Sequence, residues 1–230
     1  MFDSRLQPIV RRALAPAAAR LAKAGVKADE VTLAGFALGA LAALALGFGA
    51  YRTALALIAL NRLADGLDGA LARGLGPTDR GAFLDIALDF FFYALIPLGF
   101  AFADPERNAL AAATLLFAFV GTGSSFLAFA AVAAERGLTA PEYPHKGIYY
   151  LGGLTEGAET IALFVAMCLW PAAFPVLAYA FSALCLVTTL MRWSWGWFVF
   201  APQDGARPSG APVETPLRIG ETNEAVDLRA

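Results

Sequence analysis

The chain has 230 residues, of which 59% are hydrophobic and 16% charged, and its formal net charge is −2 at pH 7. A soluble domain is typically about 45–50% apolar and about 25% charged, so this composition indicates a polytopic helical membrane protein. The balanced charge, without a basic stripe that carries interleaved aromatic residues, argues against nucleic acid as a partner. A single histidine argues against a structural zinc site.

The first predicted element is an amphipathic helix over residues 3–24. Apolar residues recur there at spacings of three and four, and Arg and Lys residues lie between them. This pattern favours a helix in the membrane interface, with its basic face towards the lipid headgroups. A helix packed on a protein partner is the alternative. We assign residues 1–30 to this interfacial unit.

Six membrane helices are predicted after it, because several apolar stretches approach or exceed the ~20 residues that cross a bilayer as a helix. Turn-forming Gly, Pro and Asp residues separate these stretches. The expected fold class is therefore an all-α integral membrane protein, with a transmembrane domain over residues 31–200. The expected spans are 31–49, 53–74, 80–103, 108–134, 147–170 and 173–199.

Residues 201–230 are rich in Pro, Gly and charge, and are predicted to be a disordered tail. Most Lys and Arg residues fall in the N-terminal segment, the 74–80 loop, the 135–146 loop and this tail. With six spans, all four segments lie on one side of the membrane, which the positive-inside rule makes cytoplasmic. We therefore expect both termini in the cytoplasm and, in a bacterium, an inner or cell membrane location.

Four aspartates lie inside the apolar second and third predicted spans. Asp65 and Asp68 are three residues apart and Asp85 and Asp89 are four apart, so each pair shares one helix face. An ionisable group at the bilayer centre costs roughly 2.5–3.5 kcal/mol on translocon scales, and grouped carboxylates also repel one another. Hard divalent ions with oxygen ligands, such as Mg²⁺, would compensate both costs. The sequence therefore predicts a metal centre, and two metals would suit phosphoryl chemistry.

Small residues and one arginine accompany the aspartates. Gly69, Ala72 and Gly81 remove side chains from the surface where the two spans are expected to meet. This would permit close helix packing, or it would leave space for a flat or bulky ligand. Arg73 continues the stripe of Asp68 and could donate two hydrogen bonds to a phosphate.

Together these residues resemble the signature of the CDP-alcohol phosphotransferase (CDP-alcohol phosphatidyltransferase) superfamily, Asp-x-x-Asp-Gly-x-x-Ala-Arg, a loop, then Gly-x-x-x-Asp-x-x-x-Asp. Every signature position is filled within residues 65–89. The layout of six spans after an interfacial helix is also similar to that family. The resemblance implies that an alcohol hydroxyl attacks the lipid-bearing phosphorus of CDP-diacylglycerol and releases CMP, with two divalent ions, Mg²⁺ or Mn²⁺, as cofactors.

The resemblance also implies roles for individual residues, at a site that faces the cytoplasm. Asp65, Asp68 and Asp85 look like metal ligands, and Asp89 looks like the general base, close enough to a metal to count among its ligands. Asp29 would cap the first span. The implied contacts to the cytidine diphosphate are Gly69, Ala72, Arg73, Gly81 and Thr32.

The sequence says less about the residues that would bind the alcohol acceptor. Glu156 and Glu159 lie three residues apart, so they share one face of the predicted fifth span. They could hold a cationic amino-alcohol, bind an additional ion, or pair with Arg62 and Arg192. Because basic residues are few and scattered, the sequence favours a neutral or cationic acceptor slightly over an anionic one. Small-residue helix faces are compatible with a homodimer.

Two other functions remain open at this stage. The same fold could transfer a phospho-alcohol from a soluble CDP-alcohol to a lipid acceptor. A divalent-cation transporter would use the carboxylates as a permeation path, and it predicts acidic residues over several spans and both membrane halves. The four aspartates lie instead on two adjacent spans near one side, which favours a site over a path.

Overall fold

The computed structural model describes residues 3–138 and 153–201, with side chains from residue 12 onwards. The regular structure in these ranges is entirely helical, with no strand, so the predicted all-α class is confirmed for them. A 3₁₀ turn, Pro171–Ala173, precedes the last helix. The helices are α1 (Asp3–Lys23), α2 (Ala28–Gly47), α3 (Tyr51–Leu75), α4 (Asp79–Ala103), α5 (Pro105–Glu135), α6 (Gly157–Leu169) and α7 (Phe174–Val199).

Within the described ranges, four helices are long and apolar enough to cross a membrane: α2, α4, α5, and α7 with its preceding turn. Their outer surfaces carry large apolar side chains; Phe102 is 68% exposed and Leu110 is 73% exposed. A soluble monomer rarely exposes so much contiguous apolar surface, whereas lipid tails accept it. The chain is therefore an integral membrane protein.

The second and fifth predicted spans differ from the other four. α3 has 25 residues, but its charged side chains exclude it from the apolar set. α6 has 13 residues and is about 20 Å long, short of the ≈ 30 Å hydrocarbon core. It begins at Gly157 because residues 153–156 are not helical, and 147–152 lie outside the described ranges. The count of six spans stays a prediction that depends on α3 and α6.

The N-terminal segment is helical where described, and α1 packs against α3. Gly25, with φ of 80°, turns the chain between α1 and α2. α2 begins at Ala28, so residues 28–30 belong to the first apolar helix and not to the N-terminal unit. The interfacial position of α1 stays a prediction, and the predicted tail lies outside the described residues after Ala201.

α2 packs between α3 and α4, and two of its glycines permit the close approach. A Cβ on Gly35 would lie 2.9 Å from Ala64 Cβ on α3, and one on Gly39 would lie 2.6 Å from the Phe92 ring on α4. By contrast, the backbones of α3 and α4 approach each other at few points, and the two helices meet through side chains such as Arg62 and Asp89. The aspartate faces therefore come together through their side chains, without close packing of the two helix backbones. Because α2 holds the two helices apart, a crevice remains between those faces.

Aromatic packing joins α4 to the second half of the chain. The Phe164 ring on α6 meets Phe92 on α4 at 6.1 Å and Phe119 on α5 at 6.3 Å, both edge to face. Phe181 on α7 lies 6.4 Å from Phe119. Each such pair adds about 0.5–1.5 kcal/mol beyond its buried area. This cluster positions α5, α6 and α7 relative to the aspartates of α4.

Candidate active site

Three predicted metal ligands meet across the crevice. Asp65 and Asp68 lie in the second half of α3 and Asp85 in the first half of α4, and one carboxylate oxygen from each lies within 4.8 Å of the other two. The Asp68 residue is only 5% exposed. Three oxygen donors at this spacing form the kind of set that hard divalent cations prefer. This carboxylate trio can therefore hold a metal ion.

Asp89, the predicted base, lies one turn beyond Asp85 and binds an arginine. Arg62 Nη2 donates a hydrogen bond to Asp89 Oδ1 at 2.8 Å, and Arg62 Nη1 lies 3.8 Å from Asp65 Oδ2. Arg62 thus bridges α4 and α3 through the aspartates, and not through the glutamate partner that the sequence suggested. Asp89 is not part of the trio, and its role as a further metal ligand stays a prediction.

The Arg62 guanidinium is oriented by groups on all three helices. Its Nε donates to Asn61 Oδ1 at 2.8 Å, and Asn61 Nδ2 donates to the Gly35 carbonyl on α2, also at 2.8 Å. The Phe92 ring on α4 lies 4.5 Å below the guanidinium carbon. This arrangement pre-organises the group that holds Asp89. Sequence reasoning missed it, although an Asn-Arg pair one turn before Asp65 in an apolar helix was the available signal.

The crevice between α2, α3 and α4 has a volume of about 20 Å³, and all four aspartates line it. Thr32 also lines it, and its hydroxyl donates to the Ala28 carbonyl at 3.1 Å. We call this the acidic crevice.

Asp29, the predicted cap, has another role, because Lys27 is the N-cap of α2 and Asp29 accepts a hydrogen bond from Arg80 Nε at 2.7 Å. The expected capping role was wrong.

The signature glycines make room for the protein's own side chains. A Cβ on Gly69 would lie 3.3 Å from Nη1 of Arg73, which folds back over it. A Cβ on Gly81 would lie 3.1 Å from Oγ1 of Thr78, the N-cap of α4, and 3.2 Å from the Asp29 carboxylate. Neither glycine serves a contact between α3 and α4. Their nucleotide-binding roles stay predictions, as do those of Ala72, Arg73 and Thr32.

A second hollow of about 600 Å³ begins at Asp85 and Asp89 and extends among α4, α5, α6 and α7. We call it the large cavity. Ligand sites commonly span about 300–1,000 Å³, so its size suits a small molecule. Its walls are mainly apolar, whereas Glu156 and Arg192 form a polar end. Asp85 and Asp89 therefore line both hollows.

The structure separates the two glutamates that the sequence placed on one face. Glu156 is the N-cap of α6 and lines the large cavity, and its Oε1 accepts a hydrogen bond from Gly153 N at 3.0 Å. Glu159 Oε2 accepts a hydrogen bond from Glu156 N at 3.2 Å, and Glu159 is not among the described residues that line the cavity. Of the two, Glu156 is therefore the one that borders the cavity lined by Asp89.

Comparison with known proteins agrees with this geometry. The family model for CDP-alcohol phosphatidyltransferase matches residues 26–199, and the chain belongs to that family. It is thus an integral membrane enzyme, a CDP-alcohol phosphatidyltransferase, and the cation-transporter alternative is set aside. The chain is 57% identical over 195 residues to the inner membrane protein YnjF of Escherichia coli (strain K12), covering 84% of this chain and 95% of that relative.

Two further relatives carry activities in their names. An archaetidylinositol phosphate synthase of Methanothermobacter thermautotrophicus is 37% identical over 97 residues, which are 42% of this chain and 48% of that protein. The crystal structure of Mycobacterium tuberculosis phosphatidylinositol phosphate synthase (PgsA1) with CDP-DAG bound has a TM-score of 0.66 at 23% identity, covering 81% of this chain and 94% of that one. A second structure of PgsA1, in complex with manganese and citrate, has a TM-score of 0.65 at 24% identity, covering 80% and 88%. These likenesses show a shared fold.

Proposed function

We propose that this enzyme transfers a phosphatidyl group from CDP-diacylglycerol to an alcohol acceptor and releases CMP, as a step of phospholipid biosynthesis. The observation that carries the proposal is the position of Asp85 and Asp89, which line both the acidic crevice and the large cavity. A donor held at the crevice and an acceptor in the cavity would meet at these two carboxylates. The CDP-DAG bound to PgsA1, which has the same fold, supports this choice of donor.

The proposed cofactor is Mg²⁺ or Mn²⁺, with two ions per site. Asp65, Asp68 and Asp85 would hold them, because their oxygens lie within 4.8 Å of one another, and Asp89 would approach one ion. The manganese in the second PgsA1 structure supports this assignment. When bound, the metal would neutralise the diphosphate and stabilise the departing CMP.

The proposed base is Asp89. Its carboxylate would take the proton of the acceptor hydroxyl while that oxygen forms a bond to the lipid-bearing phosphorus. The bond from this phosphorus to the CMP oxygen breaks, and CMP leaves with the electron pair. Arg62 would position the base, because its 2.8 Å hydrogen bond holds Asp89 Oδ1. A positioned general base contributes typically 10²–10⁴-fold to the rate.

The nucleotide would lie at the end of the crevice near the loop between α3 and α4. Gly69, Ala72 and Gly81 would let the cytidine approach the backbone, and Thr32 would contact it from α2. Arg73 is exposed and could reach the diphosphate as a bidentate donor. This end of the bundle would face the cytoplasm, and the location of YnjF supports an inner membrane position. The homodimer remains a prediction from the sequence.

The test is a CMP-release assay with the full chain in lipid nanodiscs. CDP-diacylglycerol and a panel of alcohols are supplied with Mg²⁺ or Mn²⁺, and CMP and new lipid are measured together. We expect equal amounts of the two products, and loss of both with EDTA. A parallel arm contains CDP-choline or CDP-ethanolamine with diacylglycerol. Turnover in that arm alone would overturn the proposal and favour a soluble donor with a lipid acceptor.

A further inference from the structure

The polar end of the large cavity places a carboxylate beside a guanidinium. Gly153 lies between the two groups: its N–H donates to Glu156 Oε1 at 3.0 Å, and a Cβ built on it would lie 3.2 Å from Arg192 Nη2. Both charged side chains line the cavity that begins at Asp89. A molecule that fills this cavity would therefore border Asp89 and both of these charges.

Arg192 is fixed in this position from α5. The residue is 8% exposed, its Nη1 donates to the Thr122 carbonyl at 2.9 Å, and the guanidinium carbon lies 5.6 Å from the centre of the Phe126 ring. Arginines are almost never so buried unless they are paired, and the Thr122 carbonyl is such a partner here. A pre-organised guanidinium on a cavity wall indicates contact with hydrogen-bond acceptors of a ligand.

The charges of the described lining residues disfavour a phosphorylated ligand. Asp85 and Asp89 would be neutralised by the proposed metal ions and by Arg62, so the described charges left at the polar end are those of Glu156 and Arg192, and these two cancel. A phosphate monoester carries about −1.5 to −2 charges at pH 7 and three strong acceptor oxygens. Beside Glu156, one guanidinium compensates that charge poorly, because the like charges repel.

The hydroxyls of the lining lead to the same conclusion. Four of these hydroxyls donate to other groups of the protein and keep lone pairs that can accept a hydrogen bond from a ligand. A phosphate group supplies acceptors, whereas hydroxyl or ammonium groups supply donors. The internal bonds run from Thr122 to the Phe119 carbonyl at 3.1 Å, from Ser124 to the Gly121 carbonyl at 3.3 Å, from Thr155 to Thr188 Oγ1 at 3.1 Å, and from Thr160 to the Glu156 carbonyl at 2.9 Å.

We infer that the acceptor is a small hydroxylated molecule without a phosphate group, either a neutral polyol or a zwitterionic hydroxy amino acid. Its reacting hydroxyl lies at Asp89, its other hydroxyls or its ammonium group donate to Glu156 and the lining hydroxyls, and its acceptor groups bind Arg192. The inference rests on the proposed function and names the acceptor class for that site. The competing acceptor is a phosphorylated inositol, which is suggested by the names of the archaetidylinositol phosphate synthase and the phosphatidylinositol phosphate synthase.

Matched acceptor pairs test the inference, with CDP-diacylglycerol, Mg²⁺ and the full chain in nanodiscs. The pairs are glycerol and glycerol 3-phosphate, myo-inositol and inositol 1-phosphate, and L-serine and phosphoserine. We expect the productive pair to favour the unphosphorylated member by at least about tenfold in kcat/KM, the loss that one unmatched charged group causes. Preference for the phosphorylated member would overturn the inference and leave the proposed function standing. No CMP from any of the six would overturn both.

Two glutamine variants separate acceptor binding from helix capping. Glu156→Gln keeps an oxygen for the cap of α6 but removes the charge from the cavity, so we expect KM for the acceptor to rise about tenfold with KM for CDP-diacylglycerol unchanged. Glu159→Gln is the control, because Glu159 shares the capping box but does not line the cavity among the described residues. Equal effects of the two variants would mean a capping role only and would overturn the inference.

Discussion

The acidic crevice and the large cavity are built in different ways. The aspartates of the crevice come from one stretch of 25 residues, 65–89, in which helical spacing alone sets the relation within each pair. The polar end of the cavity joins Glu156 to Arg192, and its walls include residues of α4 and α5. Helical periodicity cannot relate such distant positions. The proposed reaction chemistry is thus local in the chain, whereas the proposed acceptor selection depends on helix packing.

The two regions should therefore respond differently to substitution. In the crevice, Arg62 links Asp89 and Asp65 directly, so a change there should reduce turnover with every acceptor. In the cavity, Glu156 and Arg192 are each held by backbone groups, so a change there should alter which acceptor is used and how tightly it binds. Variants in the acidic crevice and in the large cavity test this difference between the two regions.

The largest effect is expected from Asp89→Asn. Loss of the proposed base should lower kcat for CMP release by at least about 10²-fold, while CDP-diacylglycerol binding is retained. Rates from quenched single turnovers and binding by calorimetry measure the two quantities. Asp79→Asn is the control, since Asp79 is exposed in the first turn of the same helix. Near-normal turnover by the Asp89 variant would remove the base assignment.

Arg62→Lys should have the next largest effect. Lysine keeps the charge but cannot donate to Asn61 and Asp89 in the same fork, so we expect kcat to fall about 10–100-fold with little change in KM for CDP-diacylglycerol. Steady-state kinetics with saturating acceptor measures this split. Arg52→Lys, at the exposed start of the same helix, is the matched control. An unchanged kcat would show that Asp89 does not need Arg62 for its position.

Arg192→Lys should act on the acceptor alone. The substitution removes the hydrogen bond to the Thr122 carbonyl and the planar contact to ligand acceptors, so we expect KM for the acceptor to rise roughly three- to tenfold. The metal dependence and KM for CDP-diacylglycerol should stay the same. Titration of acceptor at fixed donor checks the first expectation, and Mn²⁺ titration checks the second. A parallel loss of metal affinity would contradict the division between the two regions.

The smallest effect on turnover is expected from Gly39→Ala, which tests how α2 keeps the crevice open. The added Cβ would lie 2.6 Å from the Phe92 ring, so α2 and α4 must shift, at about 1–3 kcal/mol of stability. Thermal unfolding in detergent should show a lower Tm. Gly74→Ala is the control, because a Cβ there meets nothing within 4 Å. Equal Tm values would show that the packing at Gly39 can relax.

Much of the fold could be predicted, because apolar length and helical period are local properties. The predicted starts and ends of α4 and α7 agree with the structure to within one residue. The predicted fifth span was wrong at residues 153–156, since hydropathy cannot show that these residues leave the helix and precede α6 as its cap. The contact between α3 and α4 is made by side chains such as Arg62 and Asp89, because the glycines of α2 admit that helix between the two backbones.

The residue order was sufficient to place Asp65 with Asp68 and Asp85 with Asp89, and so to predict a carboxylate cluster and the family. Helix geometry converts spacings of three and four into a shared face without reference to the rest of the chain. Folding was needed to bring Arg62 to Asp89 and Glu156 beside Arg192, since these contacts cross helices and depend on interhelical distance and rotation. The proposed donor chemistry can therefore be predicted from residues 65–89 alone, whereas the proposed acceptor class depends on how the helices pack.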